Sequence, residues 1–201
     1  MVHPPLEILI AIFIAYLFGS ISSAIVTCKI LRLPDPRTQG SGNPGTTNVL
    51  RIGGKKAAII TLLGDVLKGA LPVLLAKWYG LSTIGIALVA FAAFFGHLYP
   101  IFFRFQGGKG VATAFGCLLA LAWPAGIALA VTWLIIAMVS RYSSLAALIT
   151  ALLAPLYIWY FTNLTNTAMT LGITLLLIYR HRKNIKQLWQ GKETKIGRSK
   201  L

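Results

Sequence analysis

The sequence predicts an all-α polytopic membrane protein with seven transmembrane helices, its N-terminus outside and its C-terminus in the cytoplasm. Hydrophobic residues make up 57% of the 201 residues and charged residues only 11%, against about 25% in soluble domains. The mean hydropathy is +0.76. The apolar residues form separate runs, and the basic residues behind the formal net charge of +15 lie mostly between those runs.

Seven apolar runs are candidates for the spans. They lie near residues 6–28, 57–78, 83–103, 111–122, 125–140, 144–161 and 165–179. The first run has no basic segment before it and no small-residue cleavage site, so we expect a retained helix. Residues 111–140 contain Trp123-Pro124, and proline disfavours a continuous helix there. We therefore expect two short helices in that stretch, within a single integral membrane domain over 1–201 that ends in a basic tail, 180–201.

The basic residues indicate the orientation. With the N-terminus outside, all of the 19 Lys and Arg except Lys68 and Lys77 lie in cytoplasmic segments, as the positive-inside rule requires. Six spans would put the 29–56 loop and the C-terminal tail on opposite faces and divide this charge. Because the basic segments are short and lie between apolar runs, we expect them to meet anionic headgroups and an anionic substrate, and we expect no nucleic acid.

The first cytoplasmic loop is polar and rich in glycine: residues 40–51 read G-S-G-N-P-G-T-T-N-V-L-R. Glycines let backbone N–H groups turn toward a bound anion, and Arg51 can bind a phosphate through two parallel hydrogen bonds. The alternative is an ordinary turn between helices. A turn needs two or three such residues, however, and this polar segment runs on until it reaches an arginine.

A second glycine loop, Gly107-Gly108-Lys109-Gly110, stands directly before the run at 111–122. A helix N-terminus presents free N–H groups and the positive end of its dipole, so an anion fits there, and Lys109 adds a charge. The loop is not a Walker A motif, since Phe103 stands where glycine is required and Gly110 where Ser or Thr would bind magnesium. The alternative is a flexible turn whose lysine reaches the headgroups.

Two more polar segments are predicted on the cytoplasmic face. In residues 140–144, which read S-R-Y-S-S, we expect one serine to cap the next helix, while another can donate to a ligand. In residues 180–184, R-H-R-K-N, His181 and Asn184 are i,i+3 neighbours on one helical face. A basic flank of the last span explains the arginines and lysine. It does not explain His181 and Asn184 together, so we expect these two to be functional.

Three ionisable residues, Asp65, Lys68 and His97, lie inside predicted spans, where such groups are costly and face a partner or a cavity. A structural ion pair and a functional one are equal alternatives for Asp65 and Lys68, and a buried, hydrogen-bonded histidine is the default for His97. We expect Cys28 and Cys117 to pack as small apolar groups, because they lack metal-ligand spacing.

The sequence shows no familiar catalytic set. It has no Ser-His-Asp order and no GxSxG elbow, and its four acids are too scattered to pair. We expect no cofactor and no metal. Chemistry that relies on cations and hydrogen-bond donors suits an already activated substrate, because binding two anions supplies proximity and cations stabilise a departing phosphate.

Three segments closely resemble the signature motifs of the bacterial acyl-phosphate:glycerol-3-phosphate acyltransferase family (PlsY type). They are 40–48, 107–113 and 181–185. The resemblance covers essentially the whole chain and extends to Gly64-Asp65, Gly96-His97, Pro100 and Gly191-Lys192-Glu193. The departures are small: Thr46 stands where the family usually has Ala, and Gln187 where Arg is common.

The resemblance implies transfer of a fatty acyl group from acyl phosphate, not acyl-CoA, to the 1-hydroxyl of glycerol 3-phosphate in phospholipid biosynthesis. It implies an active site on the cytoplasmic face of the bacterial plasma (inner) membrane. Its implied partners are the lipid bilayer and the soluble enzyme that makes acyl phosphate from acyl carrier protein. The implied catalytic residues are Lys109, Arg51, His181 and Asn184. The implied substrate-binding residues are Ser41, Gly42, Asn43, Thr47, Asn48, Gly107, Gly108, Gly110 and Ser144.

In this interpretation the first loop and Arg51 hold the acyl-phosphate headgroup, and Lys109 lies between both phosphates. Ser144, His181 and Asn184 seat glycerol 3-phosphate with the second loop. The substrate's own phosphate takes the hydroxyl proton, with His181 as the alternative base. Two other functions stay open: a phosphate-ester transporter, which would need polar residues through the bilayer midplane, and a lipid-docking scaffold, which would not need Asn43 or the glycines.

Overall fold

The computed structural model describes residues 4–197, and within that range the regular structure is entirely helical. The α-helices are α1 (Pro5–Gly19), α2 (Ser23–Ile30), α3 (Thr46–Trp78), α4 (Thr83–Leu98), α5 (Val111–Leu121), α6 (Trp123–Ser140), α7 (Ser143–Phe161), α8 (Leu164–Arg180) and α9 (Arg182–Trp189). A 3₁₀ turn, Ile101–Phe103, follows α4.

The helices have the length and composition of an integral membrane protein. In the described part of the chain, four are long and apolar enough to cross a bilayer: α3, α4 with the turn after it, α6 and α7. α1 and α2 add a fifth crossing if that bent pair is one span. Large apolar side chains such as Leu75, Ile84 and Met138 are exposed, as expected for surfaces that face lipid. The all-helical membrane fold is confirmed, whereas seven crossings and the orientation of the termini stay predictions.

The prediction of one continuous helix over 6–28 is wrong, because α1 ends at Gly19, α2 begins at Ser23, and the two are bent by 41°. Gly19 lies so close to α4 that a Cβ would stand 2.1 Å from the Ala93 carbonyl oxygen. The hydroxyl of Ser22 accepts the Ile25 N–H at 3.4 Å and so caps α2. Apolar composition did not show this break, because serines near a helix end look the same as serines within a span.

The prediction of two helices over 111–140 is confirmed, since α5 and α6 are separated by the extended residue Ala122 (φ −147°, ψ 100°). The last carbonyls of α5 have a cation as partner. Lys77 Nζ donates to Ala120 O at 3.1 Å and to Leu121 O at 3.3 Å. This contact satisfies helix-end carbonyls that an apolar setting would otherwise leave without a donor.

α3 begins eleven residues before the predicted run at 57–78. Gly54 interrupts it with φ 73° and ψ −170°, a conformation that favours glycine. The interruption separates a short segment, 46–53, from the long apolar helix that follows. Arg51 is therefore carried by a helical turn with its own direction and not by a loop.

Close backbone packing joins the middle of α3 to α5. A Cβ at Gly69 would lie 2.2 Å from the Thr113 carbonyl oxygen, and one at Gly116 would lie 2.1 Å from that of Val66. Backbones approach this closely only where a side chain is absent, as at small-residue interfaces between membrane helices. α4 packs against α1 in the same way through Gly96.

The chain after α9 folds back onto the α6–α7 connection. The Ile196 N–H donates to Arg141 O at 2.7 Å, and Lys195 Nζ lies 5.6 Å from the centre of the Tyr142 ring. This return brings Glu193 to the start of α7. Residues 198–201, the end of the predicted basic tail, lie outside the described residues.

Candidate active site

A cavity of about 940 Å³ lies among three segments that are far apart in sequence: 34–52, 107–109 and 180–194. Of the described residues that line it, Glu193 alone carries a carboxylate. The cations in the lining are Arg51, Lys109, Arg180, Arg182 and Lys183. A concave site with this excess of positive charge attracts anions.

Ser41, Gly42 and Asn43 of the first loop line the cavity. Gly40 and Gly42 have φ 61° and 69°, the left-handed conformation that lets the chain turn tightly there. The start of the loop is fixed by an ion pair in which Arg37 Nη2 lies 2.6 Å from Asp35 Oδ2. The hydrogen bonds from Arg37 hold the pKa of the Asp35 carboxyl below its usual value.

Asn48 holds this loop from behind. Its Nδ2 donates to Pro36 O at 2.8 Å and to Gln39 O at 3.0 Å, and its Oδ1 accepts the Ser41 N–H at 2.9 Å. The side chain is buried and does not line the cavity. The structure thus places Asn48 behind the lining, where one amide satisfies three backbone groups that a loop leaves unpaired. The predicted substrate contact at Asn48 stays a prediction.

The other two predicted residues of this region differ in position. Thr47 does not line the cavity; its hydroxyl lies 3.2 Å from that of Ser143, which joins the start of α3 to the start of α7. Arg51 lines the cavity and is exposed. Its guanidinium is therefore accessible to an anionic ligand.

The second loop is packed without space for side chains at its first glycines. A Cβ at Gly107 would lie 2.1 Å from His97 O, and one at Gly108 would lie 2.3 Å from His97 Nε2. The Gly108 N–H donates to His97 O at 3.2 Å, so this N–H is not available to a ligand. Gly110 has φ 86° and stands directly before α5. Gly107 and Lys109 line the cavity, while Gly108 and Gly110 lie behind it.

A chain of side-chain hydrogen bonds crosses the cavity wall. Lys109 Nζ donates to Asn184 Oδ1, and Asn184 Nδ2 donates to Glu193 Oε1 at 2.8 Å. The Ser144 hydroxyl donates to the same Glu193 oxygen at 2.6 Å. Three predicted site residues, Lys109, Asn184 and Ser144, are thus brought together by a carboxylate that sequence reasoning assigned no role.

Burial lowers the pKa of two groups beside the cavity. It lowers the pKa of Lys109 to about 8, an effect that the Glu193 carboxylate partly opposes. It lowers the pKa of His181 to about 4, with the Lys109 charge acting in the same direction. His181 is buried outside the lining, and its Nδ1 lies 2.8 Å from Leu177 O. Since a carbonyl only accepts, Nδ1 carries the hydrogen and Nε2 is left with a lone pair.

Asp65, Lys68 and His97 do not line the cavity; they form a buried network in the helix interior. Lys68 Nζ lies 2.8 Å from Asp65 Oδ1 and donates to Ile21 O at 2.8 Å, replacing a helix hydrogen bond lost between α1 and α2. His97 Nδ1 lies 3.6 Å from the same Asp65 oxygen and 3.0 Å from the hydroxyl of Thr113. The sequence left a structural and a functional ion pair open for Asp65 and Lys68, and these contacts are those of a structural pair.

The predicted serine cap on the helix after residue 142 is wrong. α7 begins at Ser143 after Tyr142, which makes no side-chain capping bond. The Ser140 hydroxyl instead donates to Ile136 O at 2.6 Å and accepts the Tyr142 N–H at 3.1 Å. Ser144 and Ser143 contact other segments instead. The Ser144 hydroxyl donates to the Glu193 carboxylate, and the Ser143 hydroxyl lies 3.2 Å from that of Thr47.

Sequence reasoning missed Arg180 and Glu193. The sequence pattern places Arg180 in a basic flank, and nothing local distinguishes it from Arg182. Glu193 offered a weak signal, since an acid among so many basic residues is unusual in a chain with four acids. Both become visible only when α8, α9 and the tail fold around the glycine loop.

Comparison with known proteins gives a consistent result. The family of glycerol-3-phosphate acyltransferases matches residues 9–191. The chain is 52% identical over 198 residues to the glycerol-3-phosphate acyltransferase of Methylococcus capsulatus, covering 98% of this chain and 100% of that protein. It is 52% identical over 189 residues to the one from Shewanella loihica, covering 94% and 93%.

Two solved structures share the fold. Both are crystal structures of PlsY (YgiH), an integral membrane glycerol 3-phosphate acyltransferase. The glycerol 3-phosphate form matches with a TM-score of 0.90 and 39% identity, and the lysophosphatidic acid form with 0.88 and 38%. Each match covers 95% of this chain and 96% of the other.

Proposed function

This chain belongs to the glycerol-3-phosphate acyltransferase family, and we propose that it transfers a fatty acyl group from acyl phosphate to the 1-hydroxyl of glycerol 3-phosphate. The products are 1-acylglycerol 3-phosphate and inorganic phosphate. The proposed reaction takes place on the cytoplasmic face of the bacterial plasma membrane, in a protein with seven crossings and an outer N-terminus. The soluble enzyme that makes acyl phosphate from acyl carrier protein supplies the donor.

The observation that carries this proposal is the charge of the cavity. Among the described residues, five cations and one carboxylate line a volume of about 940 Å³, which is ample for two phosphate groups at once. An acyl phosphate is already activated, because its leaving group is an anion that cations stabilise directly. Holding donor and acceptor in one polar cavity then supplies the proximity that the reaction needs.

The bond changes in the proposed reaction balance without an added cofactor. The 1-hydroxyl oxygen attacks the acyl carbonyl carbon, and the bond from that carbon to the phosphate oxygen breaks with its electron pair on phosphate. Lys109 neutralises the departing phosphate, while Arg51, Ser41 and Asn43 hold the donor headgroup. The hydroxyl proton goes to the acceptor's own phosphate, with Nε2 of His181 as the alternative.

The acceptor lies beside the hydrogen-bonded chain from Lys109 to Ser144. Ser144 is buried outside the lining, and its hydroxyl donates its hydrogen to Glu193. This leaves its oxygen able to accept, and we propose that a glycerol hydroxyl is the donor. Pro34 and Ile52 are the apolar side chains in the described lining, and we propose that the acyl chain passes them toward the bilayer.

The test is acyl transfer by the purified protein, with palmitoyl phosphate and palmitoyl-CoA offered separately. Acylated glycerol 3-phosphate and released phosphate are measured. We expect turnover with palmitoyl phosphate alone. Turnover with palmitoyl-CoA would contradict the proposed donor, and no turnover with either in a folded preparation would contradict the enzyme. Uptake of labelled glycerol 3-phosphate into vesicles without donor would instead support a transporter.

A His181→Ala variant separates the two candidate bases. A group with a pKa of about 4 is a weak base at neutral pH, which favours the substrate's own phosphate. We therefore expect kcat to be largely retained while KM for glycerol 3-phosphate rises. A large loss of kcat with an unchanged KM would assign the proton to His181.

A further inference from the structure

Arg180 is the last residue of α8, and its guanidinium contacts the backbone of the second glycine loop. Nη2 donates to Gly107 O at 2.6 Å and to Gly108 O at 2.8 Å, and Nε donates to Gly108 O at 3.1 Å. The guanidinium carbon also lies 5.4 Å from the centre of the Tyr99 ring. An arginine that serves only as a basic flank needs none of these contacts, since headgroups satisfy it.

These three bonds fix the direction in which the loop's peptide groups point. A loop that binds an anion must turn its N–H groups toward the ligand and its carbonyls away. Glycine permits either orientation, so the residues of the loop do not decide between them. By binding two successive carbonyls, one guanidinium selects the orientation in which the carbonyls face α8.

The opposite side of the loop is held by α4. The Gly108 N–H donates to His97 O at 3.2 Å, and neither Gly107 nor Gly108 has space for a Cβ against His97. The next residue is Lys109, whose ammonium group lines the cavity. Among the described residues, no hydrogen-bond partner is found for the N–H groups of Lys109 and Gly110.

We propose that Arg180 is a positioning residue, which clamps the glycine loop so that the Lys109 side chain faces the phosphate groups. This inference rests on the proposed function of the cavity. The clamp depends on the forked shape of the guanidinium, which donates through two nitrogens in a fixed plane. A lysine has the same charge but a single ammonium on a flexible stem, so it cannot reproduce the fork.

The decisive comparison is between Arg180→Lys and Arg180→Gln. If Arg180 clamps the loop, both variants lose kcat by about 10- to 100-fold, because a small displacement of a catalytic group costs that much. KM for glycerol 3-phosphate changes little in Arg180→Lys, which keeps the charge, and rises in Arg180→Gln, which removes one cation from the cavity. Lys186→Gln is the matched control: it removes one positive charge from an exposed position of α9 outside the cavity lining, and we expect wild-type rates.

A second measurement reads the loop without turnover. Hydrogen exchange followed by mass spectrometry on the peptide that contains 106–110 should be faster in both Arg180 variants and unchanged in Lys186→Gln. If Arg180→Gln does not fold, Arg180→Lys decides, since it keeps the charge.

Two results would overturn the clamp: an Arg180→Lys enzyme with wild-type kcat and a loss confined to KM, or unchanged exchange in the loop of that variant. Failure of the proposed function is a different result. In that case the wild-type protein itself gives no turnover with palmitoyl phosphate, while the exchange measurement still tests the clamp.

Discussion

Two regions of this molecule hold cations beside a carboxylate, and they differ in whether the charges are paired. In the helix interior, Asp65 and Lys68 lie 2.8 Å apart, both are nearly inaccessible, and Lys68 also binds the Ile21 carbonyl. In the cavity, the described lining residues include five cations and one carboxylate. Glu193 there binds Asn184 and Ser144.

The difference separates a structural cluster from a binding site. A charge inside a membrane protein is tolerated when a partner and a backbone group satisfy it, and it then stabilises a particular helix packing. Cations gathered without enough carboxylates repel one another until an anion arrives, so their surplus predicts a ligand. By this comparison, substitutions in the interior should change stability first, and substitutions in the cavity should change activity first.

Lys109→Ala tests the cavity side of the comparison and has the largest expected effect. Loss of the cation on the departing phosphate should lower kcat by about 10²- to 10³-fold, in the range found when one electrostatic donor is removed. The thermal unfolding temperature in detergent should stay close to that of the wild type. Lys186→Ala, at an exposed position of α9, is the control and should keep its activity. A Lys109→Ala enzyme with near wild-type rates would remove Lys109 from the mechanism.

Asp65→Ala tests the interior. It leaves the Lys68 ammonium buried without its carboxylate, which should lower the free energy of unfolding by about 3–5 kcal/mol. The protein that remains folded should keep most of its activity per molecule, because Asp65 does not line the cavity. The double change Asp65→Ala with Lys68→Met should recover much of the loss. Full stability with impaired turnover would instead give this network a catalytic role.

The pH dependence of activity tests whether the cavity needs the positive charge of Lys109. Burial lowers the pKa of Lys109 to about 8, so its ammonium is charged below that pH and neutral above it. We expect kcat/KM to fall as pH rises through about 8, since this ratio reports groups of the free enzyme. Lys109→Arg keeps its charge at all these pH values, so whatever activity it retains should lack this alkaline decline. The same decline in both enzymes would assign it to another group.

Asp35→Ala should have the smallest effect. Its ion pair with Arg37 is partly exposed, and such pairs contribute about 0–1 kcal/mol. We expect a change in unfolding temperature near the limit of detection and activity close to that of the wild type. A large loss of activity would show that the pair sets the shape of the first loop.

The sequence was informative where one property repeats over many residues. Long apolar runs predicted the helices, and Trp123-Pro124 predicted the division between α5 and α6. It failed at the break after Gly19, where the deciding contact is the approach of another helix. For the site, it indicated the segments that meet in the cavity but not which side chains reach it. Asn48 and His181 turn out to be buried behind the lining.

The sequence by itself therefore determined the membrane class, the positive charge and the polar segments, because hydrophobicity and charge act through composition and local order. Only the tertiary structure decided that Glu193 joins Ser144 to Asn184, that Lys68 satisfies a carbonyl at a helix break, and that Arg180 binds the glycine loop. These contacts join residues between 47 and 73 positions apart, except for the nine between Asn184 and Glu193. A hydrogen bond depends on distances and angles in space, which no local pattern of residue types specifies.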